Sequence, residues 1–398
     1  MSDRPAVAAT YLGRGLPRPV KALGATSFLQ DVASEMVYPL LPGFLAALGG
    51  GPVALGVMES AAEGVLALVK GAAGRWSDRA GRRKPFVSAG YGLSALCRPL
   101  MAVAATPLHV IGLRALDRVA KGLRTAPRDA MISDSVGREQ RGFAFSFHRG
   151  LDHLGAAVGP LLAALVLLAW PGDLRRVFLL ATLPAIVGWL VVQVFCAEPP
   201  HPAAAVARPG VRATLPAGLR GPLLAFLLFS LGNASDAFLL LRAAQLGFGA
   251  AGLAVLWSGF HVAKWLASAP AGRLADRLGP RPQIFAGWTV YAAVYLGFAW
   301  AHTAFEVVAL FGLYAVFYGL TEGAERALVV DLAGASMGTG TALGAYHLAT
   351  GVGVFAASLI FGLLWQEVSP VAAFVVGAAL AGAAAALLAI TARRQRTV

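Results

Sequence analysis

The sequence predicts an all-α integral membrane protein with 12 transmembrane helices in two six-helix halves related by pseudo-two-fold symmetry. Three observations predict it. Hydrophobic residues make up 58% of the chain and charged residues 13%, with a mean hydropathy of +0.68, whereas a soluble domain carries about a quarter charged residues. The apolar residues gather into runs of the length an α-helix needs to cross roughly 30 Å of hydrocarbon. Finally, Gly74-Arg75-Trp76-Ser77-Asp78-Arg79-Ala80-Gly81-Arg82-Arg83 returns as Gly272-Arg273-Leu274-Ala275-Asp276-Arg277-Leu278-Gly279-Pro280-Arg281, 198 positions later in a chain of 398. Repetition at half the chain length implies duplication.

In chain order, spans are predicted near 22–48, 52–72, 85–105, 106–127, 142–169 and 176–196, then 222–246, 250–271, 283–301, 303–325, 339–364 and 369–391. Met1 to Pro19 is polar and has no short cleavable apolar core, so the first run is expected to stay as a helix. Glu198 to Arg220 holds five prolines and three arginines; it is too polar to span and reads as a linker. The expected organisation is an N-terminal bundle at 1–197, a cytoplasmic linker at 198–221 and a C-terminal bundle at 222–398.

Basic residues orient the spans. Arg14, Arg18 and Lys21 precede span one, Arg75, Arg79, Arg82, Arg83 and Lys84 follow span two, and Arg138 and Arg141 precede span five. Arg208, Arg212, Arg220, Arg273, Arg277, Arg281, Arg393, Arg394 and Arg396 fall on the same side. The positive-inside rule then places both termini in the cytoplasm, with Arg175 and Arg176 as the exception. The net charge of +13 is accounted for by these membrane-flanking arginines and anionic lipid, so no nucleic-acid partner is expected. Cys97 and Cys196 lie in apolar segments and suggest neither a disulfide framework nor a thiolate metal site.

The repeat extends beyond the loop. His148 of span five answers His347 of span eleven, Asp134 answers Asp331, and Glu63 of span two answers His261 of span eight, all at offsets of 197 to 199. Each half has an even number of spans, so both enter from the same side and the symmetry axis runs along the membrane normal.

Twelve spans in two halves, with G-x-x-x-D-R-x-G-R-R between spans two and three, resemble the major facilitator superfamily over nearly the whole chain. The resemblance implies a cytoplasmic latch formed by Gly74, Asp78, Arg79, Gly81, Arg82 and Arg83, with Trp76 where the family usually has leucine; Asp276 and Arg277 are its second copy. Arg118-x-x-x-Gly122 is similar to the family's second motif, whose arginine is linked to proton coupling. Gly155-x-x-x-Gly159-Pro160 resembles the antiporter motif, but Ser146 stands where an upstream glycine would complete it. Asn233-x-Ser235-Asp236 and Thr321-Glu322-Gly323 resemble a bacterial subgroup of the superfamily, and the resemblance implies a bacterial inner-membrane location.

An ionisable side chain deep in a bilayer costs several kcal/mol unless it meets a partner or water. Span one carries Asp31 and Glu35 one turn apart, and span two carries Glu59, Glu63 and Lys70 on one face. Neighbouring carboxylates in low dielectric do not both stay ionised, which suits a group that takes and releases a proton. The alternative is a structural pair neutralised by Lys70 or Arg118. In span four Asp117 can pair with Arg114 or Lys121, leaving Arg118 for Glu35 or Glu63. Span seven contributes Asp236 and span eight His261 and Lys264, with the histidine suited to proton exchange or to plain packing. Glu322 and Arg326, an i,i+4 pair, are expected as a secondary gate. Tyr38, Tyr91, Trp257, Tyr291, Tyr314, Tyr318 and Tyr346 are candidates for lining a cavity or for packing.

The sequence therefore predicts a proton-coupled transporter of a small organic molecule by alternating access. Efflux ranks ahead of uptake of a metabolite or cation; an anionic cargo would rest on Arg118, Arg149 and Lys264. Metal transport ranks lower, because the seven histidines and six methionines form no i,i+4 ligand pair. No cofactor is implied: neither H-E-x-x-H nor a phosphate-binding P-loop occurs, which sets an enzyme or a primary pump aside. The partners expected are the substrate, protons and lipid, around a monomer.

Overall fold

The computed structural model describes residues 15–137, 140–198, 215–333 and 339–396, and these are almost wholly helical. In the first half the helices are α1 (Arg18–Val37), continued through a 3-10 turn (Tyr38–Leu40) into α2 (Leu41–Ala47), α3 (Pro52–Ala80), α4 (Lys84–Ala102), α5 (Pro107–Asp134), α6 (Arg141–Ala169), α7 (Leu174–Leu180) and α8 (Thr182–Phe195). In the second half they are α9 (Ala217–Gly232), α10 (Ala237–Gln245), α11 (Ala250–Leu278), α12 (Pro280–Trp300), α13 (Ala304–Ala333), α14 (Thr339–Glu367) and α15 (Pro370–Arg396). The linker segment 199–214 lies outside the described residues.

These helices supply the twelve predicted spans, three of them interrupted. Span one breaks at Tyr38–Leu40, where Pro39 removes a backbone donor. Span six breaks between α7 and α8, and span seven loses helical pairing at 233–236. Among the described residues, seven helical segments are long and apolar enough to cross a membrane by length and composition alone. Span four falls short of that test because Arg114, Asp117, Arg118, Lys121 and Arg124 dilute its hydropathy.

The chain divides into two compact units: Met1–Tyr38, Val65–Ala105 and Gly112–Arg208 form one, and Pro39–Gly64, Thr106–Ile111 and Pro209–Val398 form the other. In the first unit α1 packs on α6 and α8, and α4 packs on α8. In the second, α9 packs on α14 and α15, and α12 packs on α15. The pairing is the same, span for span.

Glycines set these contacts. A Cβ on Gly155 or Gly159 of α6 would stand 2.5 Å from the Phe28 or Val32 carbonyl of α1, so only a bare backbone admits the approach. Gly353 of α14 meets Leu227 and Ser230 of α9 in the same manner. The glycines that resemble an antiporter motif are thus, in the first instance, the seam of a repeated helix pair.

Candidate functional site

The first unit buries a network of ions on spans three and four. The Asp117 carboxylate accepts from the Arg98 guanidinium at 3.1 Å and from the Ser94 hydroxyl at 2.9 Å. Arg124 donates to the Ser94 hydroxyl at 2.6 Å and lies 4.7 Å over the Tyr91 ring. Of the expected partners of Asp117, Arg114 acts on it electrostatically along with Arg118 and Arg124 of the same helix, but the close ion pair and hydrogen bonds come from Arg98 and Ser94 of the neighbouring helix. A pair on one helix face contributes only a few tenths of a kcal/mol, whereas a buried carboxylate needs charge-assisted donors that surround it. Arg114 instead covers the Tyr38 ring at 5.0 Å. The predicted ion pair of Arg118 with Glu35 is also not formed, and the Arg118 Nε is buried without a hydrogen-bond partner.

A second group lies along the α1–α6 seam. Asp31 is in electrostatic contact with Asp152 of α6, with Lys121, with Arg124 and with Glu35 one turn along its own helix. The Asp31 Cβ sits 3.0 Å and the Glu35 Cβ 3.1 Å from where side chains on Gly155 and Gly159 would begin, so the same glycines bring the acids to the seam. Asp152 has its Oδ2 3.5 Å from His148 Nδ1 and 3.8 Å from the Arg149 guanidinium, while its Oδ1 is buried without a hydrogen-bond partner. Arg149, considered as an anion contact, is 55% exposed. Asp152 lies three residues, about one turn, before Gly155, and that spacing is the sequence signal that places it opposite Asp31.

The second unit handles its acids with aromatic donors. Asp236, at the end of the span-seven break, accepts from the Tyr314 hydroxyl at 2.7 Å and the Tyr318 hydroxyl at 3.1 Å. The Lys264 ammonium rests 3.8 Å from the Tyr318 ring centroid and 5.8 Å from that of Phe260. His261 meets Trp257 edge-on at 5.0 Å, and Phe260 stacks on Tyr314 at 5.5 Å. Asp236, His261 and Lys264 are therefore brought together, as their shared mid-span position suggested. A further acid, Glu325, is buried with its two oxygens held by the Trp288 indole at 3.0 Å and the Tyr346 hydroxyl at 2.6 Å.

The two networks occupy equivalent places. Gly90 packs on Ala120 and Arg124, and Gly287 packs on Phe317 and Thr321, which fixes an offset of 197 across spans three and four and their repeats. At that offset Tyr91, Ser94, Arg98 and Asp117 become Trp288, Tyr291, Tyr295 and Tyr314. Tyr291 and Tyr295 stack at 4.1 Å, and the Tyr291 hydroxyl donates to the Gly232 carbonyl at the break in span seven. Tyr91, Tyr291 and Tyr314 are fully buried, so they pack rather than line a cavity.

The break at 233–236 is closed by side chains, as unpaired backbone deep in a membrane protein requires. The Ser358 hydroxyl accepts from the Ser235 amide at 3.1 Å, and the Ser235 hydroxyl donates to Glu59 Oε2 at 2.9 Å. Glu59 belongs to the part of α3 that packs within the second unit. There the Ser60 hydroxyl donates to the Phe355 carbonyl at 2.6 Å, and a Cβ on Gly56 or Gly362 would stand 2.5 or 2.6 Å from the Ser358 or Pro52 carbonyl. The alternative of a structural pair neutralised by Lys70 or Arg118 gains no ion pair among the described residues: Lys70 is exposed, Glu59 is buried against Ser235, and Glu63 is half-buried. Within the second unit the Glu59 end of span two thus packs on spans seven and eleven.

The signature itself is mostly helix. The predicted polar loop shrinks to Gly81-Arg82-Arg83, because α3 runs through Gly74, Asp78 and Arg79 to Ala80, and α11 runs through its copy to Leu278. Gly81, at φ +62, ends the helix in the left-handed conformation glycine tolerates. Arg83 is the hub: its guanidinium lies 2.5 Å from Asp134 and 3.6 Å from Asp78, and its amide and that of Lys84 donate to Glu198 at 2.6 and 2.8 Å. The Asp78 side chain is 67% exposed, as are Arg79 and Arg82. The side chains of Asp276 and Arg277 lie outside the described residues. Glu322 and Arg326 stand 3.8 Å apart and half in solvent, too exposed for a strong bond. Arg175, the exception to the charge rule, donates to the Ala102 carbonyl that ends α4, a favourable place for a cation.

This architecture defines an integral membrane transporter of two repeated six-span halves. The family model of the Major Facilitator Superfamily matches residues 23–260 and 223–398, and the chain belongs to that superfamily. It is 33% identical to an uncharacterized MFS-type transporter of Methanocaldococcus jannaschii, over 92% of this chain and 93% of that protein. An uncharacterized protein of Mycobacterium tuberculosis is 30% identical over 36% of each chain. Among solved structures the fold is similar to a peptide transporter (TM-score 0.75, 15% identity, 99% of each chain). It is also similar to the nucleoside transporter NupG (TM-score 0.73, 15% identity, 94% of this chain and 99% of that one).

Proposed function

We propose that this transporter couples movement of a small organic molecule to protons, exporting the molecule across a bacterial inner membrane as a single copy with both termini in the cytoplasm. The observation that carries the reading is the acid cluster on the α1–α6 seam. Asp31 feels the charges of Glu35, Asp152, Lys121 and Arg124, and Asp152 keeps a buried oxygen with no hydrogen bond. A proton arriving there has an acceptor, and its arrival changes the charge on a helix pair whose spacing is fixed by glycine. Rocking of the halves 1–197 and 222–398 would then follow protonation rather than drive it.

The roles of the other residues follow. Arg118 supplies a positive charge that responds to the proton, Glu59 and Glu63 stand on the stretch of span two that packs within the second unit, and Asp236, His261 and Lys264 face the cargo. Gly74, Asp78, Arg79, Gly81, Arg82 and Arg83 act as the cytoplasmic latch, with Asp276, Arg277, Glu322 and Arg326 around its second copy. In proteoliposomes holding a pH-sensitive dye, a compound found by thermal-shift screening should elicit proton flux that Asp31→Asn abolishes. Substrate flux that survives collapse of the pH gradient by a protonophore, unchanged in size, contradicts the coupling.

A further inference from the structure

We propose that the second unit binds a small organic anion, a flat apolar body carrying one carboxylate, on the ammonium of Lys264. The inference rests on the transporter reading of the same site and names its substrate class. Lys264 lies in the middle of α11, and among the described residues no carboxylate comes within 4.0 Å of its ammonium; the Tyr318 ring lies beneath it at 3.8 Å. A ring face attracts a cation but takes up little of its hydrogen-bonding capacity. A half-buried ammonium on a ring face is left with donors that an anion satisfies well.

Asp236, the acid that could have filled this role, is occupied: Oδ1 accepts from Tyr314 and Oδ2 from Tyr318. Its oxygens are therefore poor acceptors for a ligand amine, which Lys264 would also repel. The half-buried Tyr318 ring offers a flat apolar body a face, and buried aromatic residues hold that ring from behind. Phe260 stacks on Tyr314 at 5.5 Å and meets Tyr318 at 5.8 Å, with Trp257 tilted against Phe260 at 5.0 Å. An aromatic face beside a charged group is a usual component of a small-molecule site. The choice also fits the energetics of export. A proton entering and an anion leaving both carry positive charge inward, so membrane potential and pH gradient act together, the potential contributing ~2.3 kcal/mol per charge per 100 mV.

The test uses purified protein in detergent, titrated with benzoate, phenylacetate and 3-phenylpropanoate against benzylamine and phenethylamine, with the unfolding temperature as readout. At least one carboxylate should raise the unfolding temperature saturably, and neither amine should. Lys264→Met, which keeps the stem and removes the charge, should weaken the carboxylate by about tenfold or more, the loss expected for a charge-assisted bond. Lys264→Arg should retain binding within a few-fold. If Lys264→Met fails to fold, Lys264→Gln takes its place. Stabilisation by the amines alone, no response to any of the three carboxylates, or undiminished binding by the uncharged variant overturns the proposal. Binding needs no gradient, so its failure leaves proton coupling standing, and failure of coupling leaves this outcome unchanged.

Discussion

In the first unit Asp117 is held by Arg98 and Ser94, with Arg124 beside them, whereas the equivalent places of the second unit carry Tyr314, Tyr295, Tyr291 and Thr321. Both units share helix pairing and glycine seams, so the scaffold has been kept while its interior chemistry has diverged. One unit pairs charge with charge. The other holds Asp236 and Glu325 with phenol and indole donors and leaves its one central ammonium on a ring face. Ion networks respond to gain or loss of a proton because every member feels the change. Aromatic networks keep their shape and recognise flat organic bodies. The difference teaches that a duplicated fold can keep one scaffold while its two copies hold their buried acids by different chemistry.

The sharpest way to break the comparison is to remove the centre of each network. Asp117→Ala strands Arg98 and Arg124 as buried cations, and breaking such a pair costs about 3–5 kcal/mol. Tyr314→Phe removes one of two donors to Asp236 and should cost about 1–2 kcal/mol. Thermal unfolding in detergent orders the two; equal losses would mean the networks do not differ in kind.

The glycines give a finer contrast. A Cβ on Gly90 meets the Ala120 backbone carbonyl at 2.6 Å, while one on Gly287 first meets the Thr321 methyl at 2.5 Å. A side chain can turn away and a backbone cannot. Overpacking of this kind costs about 1–3 kcal/mol, and Gly90→Ala should fall at the upper end and Gly287→Ala at the lower. Ser235→Ala removes the bond to Glu59 and should destabilise by roughly 1 kcal/mol, with a larger effect on access: a cysteine placed near this contact should label faster with a membrane-impermeant thiol reagent. Asp78→Asn is the smallest perturbation. Its exposed side chain predicts a stability change within about 0.5 kcal/mol, so a transport defect should appear in turnover with affinity kept.

Much of the architecture was legible in the sequence, because hydropathy reports spans directly and the Gly74 and Gly272 stretches report duplication. The length of α3 was not. Gly74 to Ala80 reads as a loop by polarity, yet a helix leaving the bilayer stays helical until a glycine such as Gly81 ends it. Candidate site residues were legible as buried charges but not as partners. Asp117 seemed bound to Arg114 or Lys121 because spacing along one helix is all a sequence displays; its partner Arg98 lies on another helix. The Tyr314 and Tyr318 pairing with Asp236 escaped for the same reason, since aromatic residues in a span look alike whether they pack, donate or line a pocket.

The proposed division of labour, with coupling at Asp31 and binding at Lys264, is tested most directly by measuring both in the same two variants, Asp31→Asn and Lys264→Met. With an aryl carboxylate that binds the parent protein, Asp31→Asn should keep affinity within a few-fold and lose gradient-driven transport, while Lys264→Met should lose binding. Loss of binding in Asp31→Asn with gradient dependence intact, or retained binding in Lys264→Met, would contradict the account.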